Sequence, residues 1–350
     1  MLAGGAAHAQ SSVTLYGMVD AGLLYTSKTA SSTGANAGSQ FSFVDSGQSP
    51  SQFGLTGTED LGGGLKASFK LESGISMANG GFGNSNGNMF GRQAWIGLEN
   101  NYGEVKAGLQ FSPFFLSLFD LDPRGVSQFG SGLVNYVNNA FVTGIFNANS
   151  ISYTSPVFYG FQGSALYAFG GSAGDFQAGR QYSANLKYDN GTVMVEAAFY
   201  DGNVGTSGTS APAISTVGFE GRMIGTSYKI GNVTLKASFT NYKGQGESSV
   251  GYGAINNNVY GGGVDWLVLP QLALNGGVWF TSDRNDTSNH SLLGAVGANY
   301  FLSRASTLYA QFGLVDNRGT MNTGISINNA LNGVPNATTF GAEIGIRHIF

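Results

Sequence analysis

Near its end the chain alternates with a period of two. Phe340, Ala342, Ile344, Ile346 and His348 share one face, and Gly341, Glu343, Gly345, Arg347 and Ile349 share the other. Alternation over about ten residues describes a β-strand that, when tilted, is long enough to cross a bilayer. The pattern recurs along most of the chain. Val13, Leu15, Gly17, Val19, Ala21, Leu23 and Tyr25 oppose Thr14, Tyr16, Met18, Asp20 and Gly22, and Leu65, Ala67, Phe69 and Leu71 oppose Lys66, Ser68, Lys70 and Glu72. No run of 18 apolar residues occurs, so a membrane-spanning helix is excluded. Apolar residues instead fall at every second position, as a wall with lipid outside and water inside requires.

Composition agrees. Charged residues are 10% of the chain, well below the quarter usual in soluble domains. There is no Cys, which excludes disulfides, thiolate metal sites and a cysteine nucleophile and fits an oxidising compartment. A net charge of -4 provides no basic footprint for nucleic acid. Residues 1–9 read as the residue of a signal peptide, with Ala7-His8-Ala9 as a small-x-small cleavage motif before Gln10, or else as an N-terminal tail. Residues 10–350 then form a single domain.

Short Gly-rich links join the strands into hairpins: Glu59-Asp60-Leu61-Gly62-Gly63-Gly64, Asn101-Tyr102-Gly103, Asp189-Asn190-Gly191 and Gly231-Asn232. Long polar stretches alternate with them, at 27–49, 74–88, 202–221, 243–258, 282–290 and 317–338. Short links on one side and long loops on the other are the asymmetry of an outer-membrane barrel. Strand starts fall near Val13, Gln52, Leu65, Arg92, Glu104, Ser150, Phe161, Tyr182, Thr192, Arg222, Val233, Val259, Leu272, Leu292, Thr307 and Thr339. The fold class is therefore all-β, a 16-stranded antiparallel transmembrane β-barrel. Such a cylinder is too wide for side chains to fill. The longest loop, about 111–149, is rich in Phe, Leu and Val, and folding it against the inner wall would bury those groups and narrow the bore.

Five stretches, taken in order, resemble the trimeric general porins of Gram-negative outer membranes, nearest the β-proteobacterial branch. Ser12-Val13-Thr14-Leu15-Tyr16-Gly17 with Val19-Asp20-Ala21-Gly22 is similar to the family's mature N-terminus. Phe53-Gly54-Leu55 through Lys66-Ala67 is similar to its first periplasmic hairpin. Gly91-Arg92-Gln93-Ala94-Trp95-Ile96-Gly97-Leu98 is similar to the strand leading to the constriction loop. Ser152-Tyr153-Thr154-Ser155-Pro156 and Gly345-Ile346-Arg347-His348-Ile349-Phe350 complete the match.

The resemblance implies a homotrimer in the outer membrane, in contact with its lipid and lipopolysaccharide, and a third loop folded inward. It implies passive diffusion of small hydrophilic solutes and ions, with no cofactor. Arg92 is carried over as a base on the wall, Asp120 and Asp122 as acids on the loop, and Arg124 as a further loop charge. Gln52, Thr56, Lys66 and Lys70 line the pore wall. The family commonly places basic residues where Gln52, Thr56, Leu109 and Phe146 stand here, so a less basic and more aromatic constriction is expected. Phe350 resembles the terminal aromatic read by outer-membrane assembly machinery.

Other readings stay open beside these. Arg92 is either an eyelet base or an inner-wall residue paired with a carboxylate, and its parity with Ala94, Ile96 and Leu98 requires a bulge or a rim position. Asp120 and Asp122 either face the bore or cap a helix or turn. The loop aromatics either pack on the wall or form a slide for sugars. Asp283-Arg284-Asn285-Asp286 reads as a solvated loop, without the spacing of a calcium loop. Tyr16, Tyr25, Tyr153, Tyr188, Trp266, Phe301 and Phe350 fall near strand ends, as interfacial aromatics do. Of three His, none shares a site with a Ser and a carboxylate, which argues against a hydrolase. A substrate-selective channel for sugars, peptides or aromatic acids is the second reading, and an adhesin barrel the third.

Overall fold

The structure, a computed structural model, describes residues 12–140, 143–204, 218–246 and 253–350, so the expected signal-peptide residue at 1–9 and loop positions Phe141 and Val142 lie outside it. In chain order the elements are β1 (Ser12–Thr26), β2 (Gln40–Asp45), β3 (Gln52–Gly62), β4 (Leu65–Gly74), β5 (Gln93–Asn100), β6 (Gly103–Gln110), α1 (Pro113–Leu121) and α2 (Gly132–Ala140). There follow β7 (Asn147–Thr154), β8 (Phe161–Ala168), β9 (Gln181–Asp189), β10 (Val193–Gly202), β11 (Phe219–Ile230), β12 (Val233–Gly244) and β13 (Ile255–Leu269). The last are β14 (Leu272–Asp283), β15 (His290–Phe301), β16 (Ser306–Arg318), β17 (Thr323–Ser326), β18 (Ala330–Asn332) and β19 (Thr338–Ile349).

Wall strands pair antiparallel with their sequence neighbours, and β19 returns to β1 from Met18↔Ile349 to Thr26↔Gly341. The result is a closed 16-stranded antiparallel barrel. Among the described residues, closure pairs both edges of the barrel wall, which a hydrocarbon environment demands. Large apolar groups stand on the outer face, with Leu15 61%, Ile96 64% and Ile344 60% exposed, while Asp20, Glu72 and Glu343 point inward and are buried. The hairpin at Gly62-Gly63-Gly64 turns through positive φ at all three residues, a backbone that glycine adopts without strain.

Three features depart from the sequence reading. First, the second wall strand begins at Gln40, and β2 and β3 are two halves of it. Both pair with β1, and residues 46–51 between them stand opposite Val19 and Asp20 alone. The surplus bulges into the bore as an elbow. The Asp20 carboxylate holds it, accepting from the backbone N–H of Gly47 (3.2 Å), Gln48 (3.2 Å) and Ser49 (2.8 Å) and from the Tyr309 hydroxyl (2.7 Å). Second, the stretch 317–338, expected outside, turns inward. Its hairpin β17–β18 has Thr323–Ser326 fully buried, and Asn317 ties it down through both backbone polar groups of Thr323 (3.0 and 3.1 Å). Third, Tyr16 faces the interior and donates to Glu72 (2.8 Å), so it does not belong with the interfacial aromatics.

Candidate pore constriction

The described residues of the loop from Phe111 to Phe146 lie inside the barrel and carry α1 and α2. Helix α1 starts where Ser112 caps it, its hydroxyl accepting from Phe115 N–H (3.1 Å) with Pro113 next, and it ends at Asp122 before Pro123. Phe114, Leu118 and Leu121 recur at helical spacing and are buried against the wall. The wall makes room for them with glycine. A Cβ at Gly225 would lie 2.7 Å from Leu121 Cδ2, and one at Gly221 would lie 2.5 Å from the Phe114 ring. Phe114 and Tyr136 of the loop pack on Tyr200, Phe219 and Tyr242 of the wall at ring separations of 5.8–6.5 Å. Ser117 donates to Glu196 (2.6 Å).

Asp122 was expected beside Asp120 as a second acid of the constriction. The structure turns it back onto its own loop instead. Its carboxylate accepts from the backbone N–H of Gly132 (2.6 Å), Arg124 (2.7 Å) and Val126 (3.1 Å), so it ties the end of α1 to the start of α2. Burial pushes this carboxyl above its ordinary range, against the pull of those N–H groups. Asp120 is partly exposed and pairs with Lys187 of β9 at 3.1 Å. Arg124 is buried and donates to Gln311 Oε1 and to the Phe129 carbonyl (3.4 Å). Its burial lowers it to about 10. The four residues expected to form one ring are thus not brought together.

What converges is different. A cavity of 510 Å³ is enclosed by the wall, the elbow, the long loop and the inward hairpin. Its wall side carries Gln52, Lys70, Glu72 and Arg92, and its loop side carries Phe111, Phe115, Phe119, Leu133 and Val137. Arg92 precedes β5, so it escapes the strand's parity: Ile96 and Leu98 face outward, while its guanidinium turns in to Glu72 (2.9 Å) and lies over the Phe111 and Phe146 rings at 5.8 and 5.9 Å. Lys70 reaches the same carboxylate at 3.2 Å. Glu72 is the residue that sequence reasoning missed, although it sits on the inner face of its strand two positions from Lys70. Arg124 and Asp122 line a smaller adjoining cavity of 220 Å³ with Lys236, Asp265 and Arg347, and Ser49 and Gly125 border both spaces. Neither Thr56 nor Lys66 lines either cavity: Thr56 donates to the Phe69 carbonyl (3.1 Å), and Lys66 is exposed near the Gly-rich turn.

The bore is held narrow by cross-links among its inward segments. Gln128 N–H donates to Gln48 O (3.1 Å), Ile327 N–H to Gln128 O (2.8 Å), and Gly130 N–H to Ile325 O (2.8 Å). Asn328 donates to the carbonyls of Asp45 (2.7 Å) and Ser46 (3.0 Å), where β2 passes into the elbow.

A closed wall, apolar outside and polar within, around a bore narrowed at one level is a transmembrane β-barrel channel. The model for the Gram-negative porin family matches residues 1–320. Outer membrane porin protein 32 of Delftia acidovorans is 31% identical over the whole of this chain and 97% of its own length. An outer membrane porin protein of Bordetella pertussis is 30% identical over 89% of this chain and 91% of its own. The solved anion-selective porin from Comamonas acidovorans superimposes with a TM-score of 0.81 at 27% identity, over 97% of this chain and all of that one. The chain belongs to the Gram-negative porin family and resides in the outer membrane. Porins are channels, not enzymes.

Proposed function

We propose that the protein lets small hydrophilic solutes and ions diffuse passively through a constriction that is less basic and more aromatic than is usual in its family. The observation that carries this reading is the pairing at Glu72. One carboxylate serves both Lys70 and Arg92, at 3.2 and 2.9 Å, and so removes much of the positive field that two wall bases would otherwise project into the bore. Across the cavity stand Phe111, Phe115 and Phe119 of the loop, and the other acid that lines it, Asp45, stands at the end of β2 and not on that loop face. The solved Comamonas porin is described as anion-selective; the preference of this chain for chloride is weaker.

Reversal potentials in asymmetric KCl across planar bilayers test this. A small chloride preference is expected, and strong anion selectivity would overturn the reading. Thr56→Arg, which adds a base opposite Lys70 in the β3–β4 register, should move the reversal potential toward chloride. Liposome swelling graded by solute size supports open diffusion, saturable uptake of one solute supports a selective channel, and no permeation supports an adhesin.

The same reading takes residues 10–350 as one domain assembling as a homotrimer, with 111–149 as the constriction loop and Phe350 as the segment met by the assembly machinery. Outer-membrane lipid and lipopolysaccharide are its surroundings. Heat-modifiable trimer on gels and N-terminal sequencing at Gln10 or Ser11 check these points.

A further inference from the structure

We propose that the 510 Å³ cavity is a subsite for aromatic monocarboxylates, with the ring on the apolar face of the loop and the carboxylate at Lys70. This inference rests on the channel reading above and adds a solute class to it. The cavity falls within the range of about 300–1,000 Å³ typical of small-molecule sites. Its two faces differ sharply. Helix α1 buries Phe114, Leu118 and Leu121 against the wall but leaves Phe119 42% exposed toward the bore, and the buried Phe115, Leu133 and Val137 form an apolar backing to the same cavity. Wetted aromatic surface gains by exchanging its water for a ring, which stacks or meets it edge-on.

The facing wall supplies the charge. Lys70 and Arg92 share Glu72, so this cluster keeps one uncompensated positive charge. Arg92 lies buried over two phenyl rings, which leaves the partly exposed Lys70 ammonium as the group a solute meets. Asp45, the last residue of β2, also lines the cavity and repels anions. A solute with one carboxylate therefore fits, whereas a second carboxylate would find no cation. An uncharged ring gains nothing from Lys70, and a small anion without a ring gains nothing from Phe119.

Benzoate is the probe, titrated at constant ionic strength into KCl on both sides of a planar bilayer holding the intact protein. Expected is a saturable fall in single-channel current, absent with acetate and with benzyl alcohol at the same concentrations. Phe119→Ser and Lys70→Gln should each raise the half-saturating benzoate concentration about three- to tenfold, the range set by losing one ring contact or one exposed charge contact. Heat-modifiable migration of each variant establishes that its barrel is intact. A current that changes linearly with benzoate, an equal effect of acetate, or half-saturation unchanged in both variants overturns the proposal. No conductance in KCl alone would instead overturn the channel reading on which it rests, so the two failures are separable.

Discussion

Replacing Glu72 by Gln tests the charge balance of the constriction most directly. The substitution keeps the side chain's size but removes the negative charge 2.9 Å from Arg92 and 3.2 Å from Lys70, so the cluster gains one positive unit. For a permeating ion about 7 Å away in a water-filled bore, one unit charge is worth about 0.6 kcal/mol, roughly RT. Chloride is favoured and potassium disfavoured by that amount, so the chloride-to-potassium permeability ratio rises about sevenfold at low salt. At 0.1 M the Debye length of about 10 Å halves the interaction and reduces the change to about threefold. The assay is the reversal potential across a fixed KCl ratio, measured at two overall concentrations. Arg92 loses its ionic partner in the same variant, and a buried unpaired charge is destabilising. Heat-modifiable migration therefore has to show a folded barrel, and Glu72→Asp should retain the parental selectivity. A folded Glu72→Gln channel with an unchanged permeability ratio at both concentrations would refute the reasoning.

Other perturbations address the scaffold of the bore. Asp122→Ala abandons three buried backbone N–H groups, each worth about 1–3 kcal/mol when left unpaired; limited proteolysis should cut within 111–146 faster than in the parent, and equal rates would deny Asp122 its anchoring role. Asn317→Ala removes both ties to Thr323 and should free the β17–β18 hairpin, read as larger and noisier single-channel conductance; unchanged conductance would mean that the hairpin does not bound the ion path. Deleting Phe350 removes the paired bonds between its backbone and Gly17 at 2.9 and 3.0 Å along the closing seam. It should lower the yield of heat-modifiable trimer in membranes, and an unchanged yield would count against a part in assembly.

The wall was legible because its code is local. Alternation at Val13–Tyr25 and Leu65–Glu72 assigns each side chain to lipid or bore, and the glycine-rich links at 62–64 and 189–191 place the turns. The one-sided apolar content of 111–149 likewise marked the loop that leaves the water. Breaks in the strands lie outside this code, while the inward turn of 317–338, the capping by Asp122 and the Tyr16–Glu72 bond depend on long-range contacts. Arg92 sits just before β5 and escapes its alternation, and the elbow at 46–51 hides six residues opposite two. The inward aromatics Tyr200, Phe219 and Tyr242 stand at alternating positions that a wet wall would leave polar, and they were the available sign of where α1 would dock.

Sequence by itself determined that the chain makes an alternating wall, where its short turns fall, and that one long loop seeks apolar cover. Each of these depends on neighbours within a few residues. Only the tertiary structure decided which charges meet. Glu72 and Arg92 are twenty positions apart and come together across adjacent strands, Asp122 turns away from the bore to hold its own loop, and Asp20 bonds to Tyr309 across the closing seam of the barrel. Long-range pairing of polar groups is set by register and by the path of inward segments. Both arise from closing the cylinder, not from local pattern.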